Sequence, residues 1–538
     1  MAPTNLLNRC GRNRVAVFAA VLVLPAGCGK NVPAIGGVWI GDARLPGSVE
    51  RFEVAVDSTG ASAKFTLPGW GLDGVDLARA PTASDSIEFS AVLEHDAVRL
   101  RGMLDGEHWL GEVTRGDAAA PFDARQLYDL SNSEWEALVG TYGSAGGRLL
   151  GIGRFSEFGS RPVIVDYTTG RIGPLYPASR KRLLVGHSLV APVFPADSLE
   201  LRITPGGEVE GIRFDQRGQP PVEASRLWTR DEEVRFAAGS VTLSGTLTLP
   251  ASQPPYPALV LVHGSNALTR DVFGPWTRFF AGLGVAVLSF DKRGTGGSTG
   301  DWKQADFHAL AADVTAAVRF LAARSEIRAD AVGLWGASQG GWIMPIVATE
   351  APGEIAFMIV HAGSGTTVRE QGVLYLRNEL RAAGLPEESI AVGIRYQLLD
   401  DQVTASDSGW SELLHFYEEH RTGESWLWPP QPADDWFRTY YRMLMDFDPA
   451  PMWQRVTCPV LFLFGELDAN VPPTESWPPI ERALLVARND RASHAVLPKA
   501  NHLFLEATTG GRDEYPRLSH FAPNYFATMA EWLADQVR

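Results

Sequence analysis

Ala331-Val332-Gly333-Leu334-Trp335-Gly336-Ala337-Ser338-Gln339-Gly340-Gly341-Trp342-Ile343-Met344 is the stretch whose reading decides the fold. It falls into three parts. Ala331 to Trp335 is a short apolar strand, Gly336 to Gly340 is a G-x-S-x-G turn, and Gly341 to Met344 begins a helix. A serine on so sharp a strand-to-helix turn tolerates only small neighbours, and its hydroxyl projects from the sheet edge. In a chain with 54 glycines such a pattern also arises by chance, so its surroundings must decide.

The surroundings agree. Ala258-Leu259-Val260-Leu261-Val262 and Val285 to Phe290 precede it as continuous apolar runs, and Ala356 to Val360 and Val460 to Phe464 follow. Phe307 to Ala322 has helical spacing, and Val234 to Leu249 reads as a lead-in hairpin. Apolar strands separated by amphipathic helices predict a mostly parallel sheet covered by helices on both faces, an α/β fold over residues 231–538. The alternation stops between Gly363 and Pro449, where Trp410, Phe416, Tyr417, Trp426, Trp428, Trp436, Phe437, Tyr440 and Tyr441 crowd a segment of helical character. Residues 364–450 are expected to form a helical lid over the carboxyl edge of the sheet.

A serine hydroxyl is a weak nucleophile and needs an adjacent base, which a carboxylate in turn orients. The expected order after Ser338 is acid, then histidine, each in a loop behind a strand. Asp468 stands in Gly465-Glu466-Leu467-Asp468 directly after one strand, and His502 stands in Ala500-Asn501-His502 directly after the short last run Ser493 to Pro498. Glu466 comes early in its loop, His494 reads as a packed strand residue, and His263 as a hydrogen-bonded residue shaping its turn. Two preorganised donors must face the oxyanion of a tetrahedral intermediate. The expected pair is the backbone amide of Gln339, at the head of the helix, and that of Ser265 in the loop His263-Gly264-Ser265-Asn266. Such chemistry calls for no metal and no cofactor.

From Gly36 to Arg230 the grammar differs: short alternating runs broken by Gly, Pro, Asp and Asn, such as Val98-Arg99-Leu100-Arg101. These predict one or two small all-β domains, at 28–130 and 131–230, with a helix near Ser131 to Leu138 and a hairpin turn at Asp105-Gly106. The first is expected to be a small antiparallel barrel or sandwich. The repeat of roughly 40–50 residues that a propeller requires is absent from the sequence.

Residues 1–27 read as an export signal. Arg9, Arg12 and Arg14 precede the apolar run Val15 to Leu24, which is too short to span a bilayer stably. The run into Leu24-Pro25-Ala26-Gly27-Cys28 resembles a bacterial lipoprotein signal, in which cleavage leaves Cys28 to be acylated. Pro25 stands where such signals usually carry leucine, and a plain secretory signal is the alternative. Export, with a lipid anchor in the cell envelope, is the expectation. A net charge of -15 excludes nucleic acid as a partner, and with Cys10 in the leader and Cys28 the residue to be acylated, Cys458 remains as a lone buried thiol.

Asp291-Lys292-Arg293-Gly294-Thr295-Gly296-Gly297-Ser298-Thr299-Gly300, His263-Gly264-Ser265, Gly336 to Gly341 and Asn501-His502-Leu503-Phe504, in that set, resemble the EstD-type bacterial esterases, relatives of dienelactone hydrolases and serine aminopeptidase-like hydrolases. The similarity covers about residues 231–538. It implies an α/β-hydrolase fold and an exported serine carboxylesterase that hydrolyses small esters of short acyl chains, with Ser338, Asp468 and His502 as its triad. Asn266 stands where many relatives carry glycine. Asp291 and Arg293 are expected to brace their loop as an ion pair. Two rivals stay open. One is an aminopeptidase or acylaminopeptidase on the same scaffold, with Glu418 and Glu419 as candidate anchors for a peptide amino terminus. The other is a surface binding protein with a vestigial hydrolase domain.

Overall fold

Alternation of apolar and charged residues closes the first sheet into a barrel. In Ala97–Asp105, Val98 and Leu100 are buried while Arg99 and Arg101 face solvent. Eight antiparallel strands, from Gly37–Leu45 to Ala118–Gln126, repeat this pattern, and the first pairs with the last, Ile40 opposite Arg125. Closure removes the open edges that a small sheet would expose. The interior is filled: Trp39, Phe52, Trp109 and Phe122 meet edge to face at centroid distances of 5.2–6.0 Å. The hairpin at Asp105 turns through Gly106, whose φ of +59° suits a residue without a Cβ.

The structure is a computed structural model that describes residues 35–538 apart from 46–47, 68–69, 83–84, 94–95, 157–161, 188, 190–196 and 425. The export signal 1–27 and Cys28 lie outside the described residues.

Helix Asn132–Leu138, opened by a capping box between Ser131 and Glu134, leads into a second closed barrel. It runs from Gly140–Gly143 to Val222–Leu227, and those two strands pair to seal it, Tyr142 opposite Arg226. Its outer surface is packed onto the rest of the fold, beyond residue 230. Tyr167 donates its hydroxyl to the carbonyl of Pro275 at 2.6 Å, Thr141 to that of Arg278 at 3.0 Å, and the Ile172 amide to Ser519 at 2.8 Å. Phe155, Val163 and Val165 belong to the same apolar core as the strands beyond residue 230.

That third part is an eight-stranded sheet with helices against it. The hairpin Arg230–Ala238 and Val241–Leu249 is antiparallel and joins Ala286–Phe290 antiparallel. From there the order is Ala286–Phe290, Tyr256–Val262, Ile327–Ala337, Met358–His361, Val460–Gly465 and Ala492–Leu497, all parallel. The winding reverses at Tyr256–Val262, which lies between the two strands that follow it in sequence. Such a reversal opens a crevice at the carboxyl ends of the strands. Here it sets the loop after Val262 beside the end of Ile327–Ala337, with Val262 in register with Gly336.

The expected lid segment holds Val368–Ala382, Glu387–Ser406, Trp410–His420 and Trp436–Leu444. Tyr396, Leu399, Val403 and Leu413 form a local core there, while Tyr440, Tyr441 and Leu444 sink into the main one. Cys458 is a free thiol that burial pushes up to about 11.

Candidate active site

The strand Ile327–Ala337 delivers Ser338 to the sheet edge, and Gln339 caps the helix Gly340–Glu350. Ser338 takes a left-handed backbone, φ 52°, which costs an L-residue about 1–2 kcal/mol. Two bonds enforce it: the Ser338 amide donates to the His361 carbonyl and its carbonyl accepts from the Gly341 amide, both at 2.8 Å. Gly341 is required by contact, since a Cβ there would lie 2.4 Å from the Gly363 Cα. The helix therefore packs backbone to backbone against the chain leaving the next strand.

The loop His263–Asn266 closes over this turn. A Cβ built on Gly264 would lie 3.8 Å from the Ser338 Cβ, so the loop and the serine are neighbours. Asn266, like Ser338, has positive φ, 76°, a conformation that favours glycine. Asn tolerates it better than most side chains. His263 is buried between Phe273 and Phe290, and burial lowers its ring to about 3.

On the far side of the crevice Asp468 and His502 are paired. His502 Nδ1 lies 2.9 Å from Asp468 Oδ2, and the Asp468 Oδ1 accepts the amides of Asn470 and Val471 at 2.8 Å each. The carboxylate is thus fixed by its own loop before it meets the imidazole. Asn501 shapes the histidine loop by accepting the Leu503 and Leu505 amides at 3.0 Å. Glu466 is exposed and accepts the Lys499 amide, while His494 is exposed and stacked on Trp477.

Two residues gained a place that the sequence did not assign. His361 ends the strand Met358–His361, fully enclosed, with its Nδ1 at 2.9 Å from the Tyr525 hydroxyl, which itself accepts from Trp276 Nε1 at 2.7 Å. The ring also faces the His502 backbone, which favours its charged form. Burial, reinforced by the nearby His502 charge, holds the His361 ring well below its ordinary pKa and therefore neutral. Trp276 donates to Tyr525, which leaves the Tyr525 hydroxyl proton for His361 Nδ1. Lys292 is the second, enclosed against the loop His263–Asn266. A lone His after an apolar run and a Lys inside a glycine-rich loop carry no periodic signal; only the partners reveal them.

The expected ion pair of Asp291 with Arg293 does not form. Asp291 Oδ1 accepts the Arg270 amide at 2.9 Å, and Oδ2 accepts the Gly297 amide at 2.8 Å and the Arg270 guanidinium at 3.0 Å. Arg293 instead grips Asp313 on Phe307–Ala322 at 2.7 Å. Bonding Arg293 would leave two backbone amides without the carboxylate they share. Glu418 and Glu419 lie on an exposed helix face, paired with Arg421 and His415.

Residues 259–518 match the model of the alpha/beta hydrolase family. The C-terminal part of the chain is an alpha/beta-hydrolase domain. Esterase EstD of Thermotoga maritima is 25% identical over 343 residues, 61% of this chain and 74% of that protein. The thiohydrolase aneE of Aspergillus aculeatus is 40% identical over 112 residues, 20% of this chain; the match spans about a third of that relative, 34%. Among solved structures, an esterase of Pyrococcus furiosus aligns with 58% of this chain and 92% of its own at 17% identity and a TM-score of 0.37. In this hydrolase domain the turn with Ser338, the loop with Ser265 and the Asp468–His502 pair all sit at the carboxyl ends of parallel strands.

Proposed function

We propose that the protein is a serine carboxylesterase acting on small esters of short acyl chains. Ser338 Oγ attacks the ester carbonyl while His502 Nε2 takes its proton, and Asp468 holds the Nδ1–H and stabilises the imidazolium. The oxyanion is received by the amides of Ser265 and Gln339. The tetrahedral intermediate collapses to an acyl-enzyme, and His502 returns the proton to the departing alcohol. Water, deprotonated by the same ring, attacks the acyl-enzyme, and the acid leaves as Ser338 regains its proton.

The observation that carries this reading is His361. Its carbonyl accepts the Ser338 amide, and its ring faces the His502 backbone and packs on Phe504 at a centroid distance of 4.2 Å, so one buried residue lies between the turn with the serine and the loop with the histidine. Tyr440 of the lid supports a small substrate, since its hydroxyl is 3.3 Å from Gln339 Nε2, directly beside the proposed oxyanion donor. The leader 1–27 and Cys28 add an exported, lipid-anchored location to the proposal on sequence grounds alone.

Hydrolysis of a nitrophenyl ester series from acetate to palmitate, with aminoacyl-nitroanilides alongside, tests it on the wild-type chain and Ser338→Ala. Serine-dependent cleavage of the short esters is expected. Cleavage of the anilides with silence on every ester would move the domain to the peptidases.

A further inference from the structure

Lys292 is 2% exposed, and its ammonium has no carboxylate among its hydrogen-bond partners. Nζ donates to the Gly264 carbonyl at 2.8 Å, to the Asn266 carbonyl at 3.2 Å and to Gln339 Oε1 at 2.8 Å. The first two acceptors lie in the loop that carries Ser265. The third is the side chain of the residue that carries the other oxyanion amide. The Trp302 ring lies 5.7 Å from Nζ.

The carbonyl of Gly264 and the amide of Ser265 belong to one trans peptide, whose C=O and N–H point in opposite directions. Fixing that oxygen on Lys292 therefore fixes the direction of the Ser265 N–H. A cation on the oxygen also polarises the peptide, which strengthens its amide as a donor. We propose that Lys292 is a positioning residue that clamps the Ser265 loop to Gln339 and sets the oxyanion hole, its positive charge lying behind the amides. This rests on the serine-esterase reading above.

The clamp has a count that depends on protonation. An ammonium has three N–H groups for three acceptors, whereas a neutral amine has two and a lone pair. Burial lowers Lys292 to about 7, so the third bond is lost as the pH rises through neutrality. Among the described residues, no other group facing Lys292 titrates in its place. His263 is held neutral, Asp291 is engaged by Arg270, and Arg293 is paired with Asp313. Tyr440, which reaches Gln339 from the lid, is raised to about 12.

The test compares the full chain with Lys292→Met and Lys292→Arg, using nitrophenyl acetate from about pH 6 to about pH 10 and a fluorophosphonate that labels the active serine. Wild type is expected to lose kcat on the alkaline side. Lys292→Met is expected to lower kcat about 10- to 100-fold, a share of what deleting an oxyanion donor costs, with KM little changed and the alkaline loss abolished. Lys292→Arg keeps the charge at every pH. It is expected to lack the alkaline loss while losing less kcat than Lys292→Met, and it decides the matter if Lys292→Met shows no cooperative melting. Wild-type kcat in Lys292→Met, or the same alkaline loss in both variants, would overturn the proposal. If wild type neither cleaves the ester nor takes the label, the esterase reading fails and this inference falls with it.

Discussion

The ring of His361 faces the backbone of His502, and neither residue is near the other in sequence. Behind that ring stand Tyr525 and Trp276, each supplied by a different helix. The histidine loop is thereby held from the interior of the sheet, while Asp468 holds its ring from the side.

Removing the middle of this relay separates positioning from chemistry. Tyr525→Phe leaves Trp276 Nε1 and His361 Nδ1 without partners, at about 1–3 kcal/mol for each unsatisfied buried group. A lower melting temperature and a kcat reduced about 10- to 100-fold through misplacement of His502 are expected, with KM unchanged. Calorimetry and steady-state kinetics on the variant check this; wild-type kcat would contradict it.

Ser338 offers a test of stored strain. Ser338→Ala removes the hydroxyl and keeps a side chain at φ 52°, whereas Ser338→Gly removes both. Loss of such a nucleophile costs on the order of a millionfold in rate, so both variants are expected to be inactive. Ser338→Gly is expected to melt above Ser338→Ala, because glycine adopts positive φ without steric cost. Equal melting temperatures would mean that the turn is not strained.

Asp401 predicts a pH dependence of stability. Burial, with the Asp400 charge adding, pushes its carboxyl up to about 6 against the Gln397 hydrogen bond. The folded chain then holds this proton more tightly than the unfolded one, whose carboxyl titrates near 3.9. Stability falls as pH rises through the window from about 4 to about 6, and stays lower above it. Asp401→Asn is expected to flatten that slope and to add about 1–2 kcal/mol at neutral pH, read from denaturant melts at several pH values.

Gly341→Ala is expected to fail differently. The new methyl would meet a backbone atom at 2.4 Å, with no flexible side chain to move aside. Overpacking of this kind costs about 1–3 kcal/mol, and here it bears on the helix that fixes Ser338. A lower melting temperature together with reduced kcat is expected; a loss of stability alone would show that the turn survives the shift.

Much of this was legible in residues 331–344 and in the strands around them, because strand, turn and helix are local and each carries its own pattern. The Asp468–His502 pair could be read from order and loop position. The barrels were legible as alternation but not as closure, since Ile40 meets Arg125 and Tyr142 meets Arg226 only after the intervening strands have formed. The partners of Asp291, Lys292 and His361 were beyond reach for the same reason: each depends on which distant backbone group needs a bond.

The second barrel touches the hydrolase domain through Gly274–Gly282, the helix that carries Trp276, with Phe155 edge-on to that indole at 5.5 Å. A gene fragment beginning at residue 231 would thus encode a catalytic domain with one wall missing, its apolar face open to aggregation and its relay uncovered at the first donor. The portable unit for recombination, by nature or in the laboratory, is the barrel and the hydrolase together.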